Sequence, residues 1–293
     1  MQQWELARTC VFRLAEIEPV WRHVLNRRST REYRHYRPKL CGEAARMLTS
    51  LNETGLAISH VERLEGMAES FEALRRVALE TETCLLRQRN QRRLGGPQAK
   101  GYSMTSNLLG SYPLMEPDSV FARFTTQLAL LEVVNAYFGM FAQLRKYAVF
   151  RTRDVQEGVN AKWHRDAPFN SPIIRVFAYF TDITAANGAF LYAAGTHWKS
   201  KRGSKCRIAD EILDERAVAC AGPAGTLVLA DTRGYHKAGR FLGGERWLYN
   251  SVFTSPGFGQ DFFTRAKQLA PRRMEPVSWA LSSPLTLRRS LFG

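Results

Sequence analysis

Trp163-His164-Arg165-Asp166 sets an imidazole and a carboxylate two residues apart. A second histidine, His236, stands 72 residues after His164 inside Asp231-Thr-Arg-Gly-Tyr-His-Lys-Ala-Gly-Arg240, and Arg246 follows ten residues later. In an extended strand residues i and i+2 point the same way, so His164 and Asp166 face one side while Arg165 faces the other. Two imidazoles and one carboxylate on one face of a metal leave the opposite positions open. Non-haem Fe(II) oxygenases use that arrangement to admit O2 and a co-substrate. A lone His-x-Asp pair arises often by chance, and each histidine taken singly is as well explained by an ordinary hydrogen bond. Arg246 adds a second chemistry, because a guanidinium is a planar, permanently charged fork that takes a carboxylate bidentately. Arg240, in the loop Gly239-Arg-Phe-Leu-Gly-Gly, is its competitor, but Arg246 opens a strand and is preferred.

These residues need a scaffold that gathers them, and the second half of the chain supplies strands. Short apolar or alternating runs at Tyr147–Arg151, Ala161–Arg165, Ile174–Thr181, Ala189–Ala193, Ala217–Ala221, Thr226–Ala230 and Trp247–Thr254 are seven candidates, with an eighth near Cys206–Ala209. Asn187-Gly188 is a turn signal between two of them. Such a set suits two facing sheets closed into a mainly β double-stranded β-helix, a jelly-roll or cupin-like core, flanked by N-terminal α-helices. The first half reads as helices over residues 4–25 and 61–86, the latter closed by Leu94-Gly-Gly-Pro97, with a polar basic stretch Arg27–Lys39 as a loop or short continuation. Asp118 or Ser119 caps a third helix running to about Phe138, with Gly139 ending it. Gln98–Pro117 is an extended loop near the mouth of the core and a candidate lid. Residues 1–293 are taken as one domain, with a mainly helical part at 1–140, a jelly-roll core at 141–258 and a C-terminal extension at 259–293.

Composition bounds the function. The 42 Lys and Arg exceed the 27 Asp and Glu, leaving +15. Such a field favours anionic partners. The basic residues thicken at Arg27–Lys39, Arg87–Arg93, Lys199–Arg207 and Arg272–Arg289, without a zinc finger, a basic heptad or an RNA-binding signature. Nucleic acid is therefore disfavoured as a partner, and an anionic metabolite is favoured. Five scattered cysteines (Cys10, Cys41, Cys84, Cys206, Cys220) with no C-x-x-C point to reduced thiols, without a disulfide frame or zinc site. No apolar run approaches the roughly 20 residues that cross a bilayer, and the N-terminus lacks the basic-then-apolar layout of a secretory signal. The expected compartment is the cytoplasm. His197, His23, His35 and His60 are assigned to structure or surface.

Taken in order, His164-Arg165-Asp166, the strand Ile173–Asp182, Asn187-Gly188, the turn Gly195-Thr-His197, the strand Ala224–Asp231, His236 and Arg246 resemble the phytanoyl-CoA dioxygenase family of Fe(II)/2-oxoglutarate oxygenases. The resemblance covers about residues 145–254. It implies that His164, Asp166 and His236 ligate Fe(II) and that Arg246 binds the far carboxylate of 2-oxoglutarate, with O2 as oxidant. Two positions depart from the family pattern: Ala238 stands where a hydroxyl residue often helps the same carboxylate, and Ala194 replaces a turn proline. Asp166 itself matters more, since halogenating relatives carry a small residue there, so a hydroxylase is implied. Tyr179 points into or near the roll and is a candidate to flank the co-substrate, with core packing as its alternative. The expected substrate is a small molecule hydroxylated at an aliphatic carbon, anionic or presented on an acyl carrier protein or coenzyme A. Its contacts would come from loops around Asn107–Met115, Arg151–Val159 and Lys199–Arg207. A nucleic-acid-modifying oxygenase and a non-catalytic jelly-roll binding protein are the alternatives.

Overall fold

The computed structural model describes residues 17–92, 104–153, 162–166, 171–197, 208–256 and 262–283. A helical turn at Glu18–Val20 passes through a π turn, Trp21–Leu25, into α1 (Arg27–Tyr36). The basic run is thus helical for ten residues. Arg28 offsets its charge against Glu32 one turn on, at 2.9 Å, and the opposite side buries Ser29 and Tyr33, the latter edge-on to Phe141. Helix α2 (Gly42–Thr54) and strand β1 (Leu56–His60) were not expected. Only Met47 and Leu51 of α2 are buried, too sparse an apolar stripe to stand out. Gly55 joins the two at φ 79°, a left-handed turn that no side chain would enter cheaply.

Helix α3 (Met67–Arg92) and strand β2 (Met104–Asn107) follow. Residues 61–63 form a separate 3-10 turn, so α3 starts six residues later than the spacing suggests, and the expected closing turn Leu94–Pro97 lies outside the described residues. Strand β2 replaces part of the loop expected at Gln98–Pro117. Ser119 does cap the next helix, accepting from the Ala122 amide at 3.2 Å. That helix is two, however: α4 (Val120–Thr125) and α5 (Leu128–Phe138), broken where Thr125 turns to meet Ser251 at 2.6 Å. Gly139 ends α5 at φ 64°.

The remaining elements are β3 (Gln143–Arg153), β4 (Ile174–Tyr179), β5 (Phe190–Ala193), α6 (Asp210–Glu215), β6 (Ala217–Cys220), β7 (Thr226–Asp231), β8 (His236–Ala238), β9 (Glu245–Thr254) and α7 (Pro276–Leu281). The expected strand near Cys206–Ala209 is absent from its described part, where Ile208 and Ala209 lead instead into α6. One sheet runs β1-β7-β4-β9-β3-β2 and the other β6-β5-β8, all pairs antiparallel. These two facing sheets make the jelly roll.

Alternation along the strands separates two cores. Tyr147, Val149, Val176, Leu229, Tyr249 and Phe253 meet the helical layer through Leu51, Phe71, Phe124, Leu131 and Val134. Phe177, Tyr179, Val228 and Leu248 turn the other way, toward Tyr192 and Cys220 of the small sheet. Helices therefore stiffen the outer face of the large sheet and leave its inner face for the site. That inner face is not filled: Phe150, Arg175, Phe190, Arg246 and Val252 all remain half-buried.

Candidate metal centre

Backbone pairing brings the two histidines together. His164 and His236 exchange N–H···O bonds of 3.0 and 2.9 Å, which makes them a directly opposed antiparallel pair with side chains on one face. Their ring centroids lie 4.3 Å apart. The segment expected as a strand at Ala161–Arg165 thus reduces, in its described part, to this one bridge on the free edge of β8. The Asp166 amide donates to Thr232 O at 3.0 Å, so its carboxylate falls on the same face as the imidazoles. Ligand atoms from His164, Asp166 and His236 all lie within 4.8 Å of one another. Arg165 turns to the other side, its guanidinium 5.7 Å above the Tyr235 ring.

Hydrogen bonds behind the three groups set their chemistry. His164 Nδ1 lies 3.0 Å from Lys162 O, and His236 Nδ1 lies 3.0 Å from Gly234 O. A carbonyl oxygen can only accept, so each Nδ1 carries the proton and each Nε2 presents a lone pair. This second contact is what orients a ligating imidazole. Asp166 is divided in the same sense: Arg175 Nε donates to Oδ2 at 2.6 Å, while Oδ1 faces His236 Nε2 at 3.7 Å. Burial pushes the Asp166 carboxyl up, but the neighbouring His236 and the Arg175 guanidinium outweigh that and hold it well below the usual carboxylate range. Its side chain is only 18% exposed. One anionic oxygen and two bare imidazole nitrogens converge, the donor set expected of a facial Fe(II) site.

Arg246 stands on the same inner face at the other end of the roll. His236 pairs with Tyr192, and Arg246 Nη1 donates to the carbonyl of Gly188, four residues earlier on that side. At about 3.3 Å per residue the two groups sit ~13 Å apart along the sheet, less whatever the side chains span. A five-carbon dicarboxylate bridging ion and guanidinium suits that distance. Arg246 Nη2 reaches Thr152 Oγ1 at 3.3 Å, and no carboxylate meets it among the described residues. Burial lowers its pKa, with Tyr179 opposing. Gly188 has φ +84°, and a Cβ there would lie 3.0 Å from Arg246 Nη1, so the Asn-Gly turn provides the room. Arg240 is exposed and does not share this face.

Tyr179 is fully buried, and its hydroxyl donates to Cys220 O at 2.6 Å, so that donor is committed to tying the sheets together. Burial pushes its pKa well up. Only its ring is left to border the interior. His197 is buried against the Gly55 turn and is not part of the His164–Asp166–His236 cluster. His23 and His35 are exposed, and His60 Nε2 lies 3.0 Å from Ala224 O. Of the loops proposed for substrate contacts, Lys199–Arg207 lies outside the described residues, as does 154–159.

Two residues of the site had not been singled out. Arg175 interrupts an otherwise apolar strand, Ile174-Arg-Val-Phe-Ala-Tyr179, and a charge in a run buried on both faces was the available signal. Asp231 is the other. It is fully buried, accepts from Tyr137 Oη at 2.6 Å and from Arg233 Nε at 2.8 Å, and thereby anchors the turn that delivers His236. Burial pushes its carboxyl up, and Arg233 and Tyr137 bring it below the usual range.

A jelly roll with an inward His-Asp-His face and a half-buried arginine on the same face is the architecture of a non-haem Fe(II)/2-oxoglutarate oxygenase. Residues 118–246, a segment that carries His164, Asp166, His236 and Arg246, match the family model described as phytanoyl-CoA dioxygenase (PhyH). A search of curated proteins finds no match. Among solved structures the fold is similar to AviO1 from Streptomyces viridochromogenes Tue57, with TM-score 0.52 and 14% identity over 76% of this chain and 100% of that one. It is also similar to SnoK, a non-heme alpha ketoglutarate dependent carbocyclase from nogalamycin biosynthesis, with TM-score 0.51 and 15% identity over 75% of this chain and 88% of that one. SnoN, an epimerase with the same dependence and from the same biosynthesis, gives TM-score 0.50 and 15% identity over 78% and 94%. Among the described residues no helix is long and apolar enough to cross a membrane.

Proposed function

We propose that His164, Asp166 and His236 hold Fe(II), that Arg246 holds the far carboxylate of 2-oxoglutarate, and that the enzyme hydroxylates an aliphatic carbon of a small molecule. The observation that carries the reading is the convergence of the three side chains: both Nδ1 atoms lie 3.0 Å from backbone carbonyls, and one ligand atom from each of His164, Asp166 and His236 lies within 4.8 Å of the other two. When bound, the iron and 2-oxoglutarate supply an O2-derived oxidant that removes hydrogen from carbon while the co-substrate becomes succinate and CO2. The chain's own residues do the rest. Arg175 keeps Asp166 ionised and presents Oδ1 alone. Phe150, Phe177, Phe190 and Leu248 wall the interior with apolar surface that excludes water. Arg246 sets the co-substrate's orientation from the closed end.

The substrate is read as anionic, free or attached to an acyl carrier protein or coenzyme A, because the chain carries +15 and lacks nucleic-acid motifs. Cys41 and Cys220 are free thiols, which suits a cytoplasmic enzyme. The test is anaerobic titration of the metal-free chain with Fe(II) and then 2-oxoglutarate, followed by their visible charge-transfer absorption. The wild-type chain should show the band and Asp166→Asn should lose it, since a neutral amide ligates a hard cation poorly. A band of equal strength in both proteins would remove Asp166 from the metal site.

A further inference from the structure

The inner face of the large sheet carries two cations that no step above uses fully. Arg175 on β4 and Lys146 on β3 are both opposite Val252 of β9, so they occupy one rung, two strands apart, at the end of the sheet nearest the triad. Arg175 spends only Nε on Asp166, and its terminal nitrogens have no partner among the described residues. Its side chain is 29% exposed. Lys146 makes no hydrogen bond or ion pair among the described residues; its ammonium lies 5.5 Å from the centre of the Phe262 ring.

Lys146 is aimed inward by a device. The β3–β9 register slips between Leu144 and Lys146, a bulge with Arg145 as the extra residue. Arg145 is buried and bonds Thr254 Oγ1, Ser255 O and Pro256 O at 2.8, 3.1 and 3.0 Å, which pins the bulge. Bulges beside active sites re-aim the next side chain. Burial, with the charge of Arg175 nearby, pulls the Lys146 pKa down, so the two cations sense one another. A half-buried ammonium held next to a like charge is unfavourable unless an anion arrives. A formal count agrees. A divalent ion and the side chains Arg175, Lys146 and Arg246 stand against Asp166 and a dicarboxylate co-substrate, which leaves an excess of about two positive charges.

We propose that Lys146 and the terminal nitrogens of Arg175 form the substrate's oxyanion site, a two-cation clamp across Val252 that holds a carboxylate or phosphate group beside the metal face. Its neighbour Phe262 and the half-buried Phe150 and Phe190 give the rest of such a molecule apolar surface. The substrate class is thereby an amphiphilic small molecule with one oxyanion, recognised inside the roll. This deepens the oxygenase reading and rests on it for the role of the bound molecule, while the anion site can be measured without metal.

The experiment is calorimetric titration of the metal-free full chain with 2-naphthoate, with phenyl phosphate and with the neutral 2-naphthamide. Either anion should bind in the submillimolar range and the amide at least tenfold more weakly. Lys146→Met should weaken the anions at least tenfold and leave the amide unchanged, and Lys146→Arg should restore binding to within about threefold. The stronger of the two anions names the group. A melting temperature for Lys146→Met within 2–3 °C of wild type, on the order of 1 kcal/mol, controls for folding. The Fe(II)/2-oxoglutarate absorption should be the same in Lys146→Met as in wild type. Anions that bind Lys146→Met as tightly as wild type, or that fail to bind wild type at 10 mM (~2.7 kcal/mol at 298 K), overturn the proposal. A tenfold loss of 2-oxoglutarate affinity in Lys146→Met also overturns it, by assigning the ammonium to the co-substrate. Anion binding that persists in a chain with no Fe(II)/2-oxoglutarate band would instead sink the oxygenase reading alone.

Discussion

Replacing Arg246 with Met should make the ligand-free protein more stable while abolishing its response to 2-oxoglutarate. The guanidinium is largely covered, and its partners are neutral oxygens, Gly188 O and Thr152 Oγ1, the second at a long 3.3 Å. Removing a charge from water costs several kcal/mol, and hydrogen bonds from a charged donor return about 1.5–3 kcal/mol each at their best. Met keeps most of the volume and removes the charge, at a cost of roughly 1 kcal/mol for the Gly188 carbonyl left behind. Because Arg246 is only half-buried as a residue, the net gain should be about 1 kcal/mol, or a rise of ~2–4 °C in melting temperature for a chain of this size. Co-substrate acts in the opposite sense on wild type: at a hundredfold excess over its Kd it should add about 2.7 kcal/mol, roughly 5–11 °C. The assay is calorimetric melting with Zn(II), which has no redox chemistry, with and without 2-oxoglutarate. A variant that melts several degrees lower without ligand, yet still gains stability from 2-oxoglutarate, would show that Arg246 is a structural residue satisfied by its own protein.

Three other outcomes are expected. Gly188→Ala puts a Cβ against Arg246 Nη1 and forces a left-handed alanine, so the KM for 2-oxoglutarate should rise about tenfold, ~1.4 kcal/mol, with Fe(II) affinity unchanged; an unchanged KM would mean the guanidinium is not placed by this turn. Asp231→Ala strands the buried Arg233 charge and should cost about 3–5 kcal/mol by denaturant unfolding, and Asp231→Leu with Arg233→Met should recover at least half; a double variant no better than the single one would refute the pairing. Glu43, its carboxyl 14% exposed, is lowered to about 2 by hydrogen bonds from Arg46 and Ser59 against the upward push of burial. A depressed folded-state pKa stabilises above the unfolded value and is lost as pH falls from about 4.5 to 2; because Arg46 is exposed, the contribution should be only about 1–2 kcal/mol, absent in Glu43→Gln.

The site was legible where chemistry demands residue types at fixed spacing. His164 and Asp166 stand two apart, the spacing that sets both on one strand face, and Arg246 falls at the start of β9 on the sheet's inner face. The strands around them could be read for a related reason: β4, β7 and β9 are mostly buried, and their runs are accordingly rich in apolar residues. Elements whose burial is partial escaped notice. α2 hides two side chains and α1 is mostly charged, so periodicity has little to register, and tertiary contacts decide the matter, of α1 with Phe141 and of α2 with α5 and β1. The strand around His164 is short for a different reason. Among the described residues its pairing is a single bridge to His236, made by two backbone bonds. Arg175 escaped because an unpaired charge in a strand cannot be assigned a partner before the register is known.

The division of parts between the sheets explains why Tyr179 matters although its hydroxyl is unavailable to a ligand. The histidines belong to the small sheet and its edge, while Arg175, Lys146 and Arg246 belong to the large one. Any molecule spanning ion and guanidinium therefore senses the separation of the two sheets, about 10 Å in face-to-face packing. Two tyrosines set that separation from opposite sides: Tyr179 of β4 donates to Cys220 O of β6, and Tyr192 of β5 donates to Asp231 O at the end of β7, at 2.6 and 2.8 Å. A phenol is rigid along its length, so each bond acts as a strut as well as a tether. The second strut ends on the residue that also anchors the His236 turn through Arg233 and Tyr137. Sheet spacing, turn geometry and ligand position thus converge on Asp231, which meets none of the three ligand atoms and still governs where one of them stands.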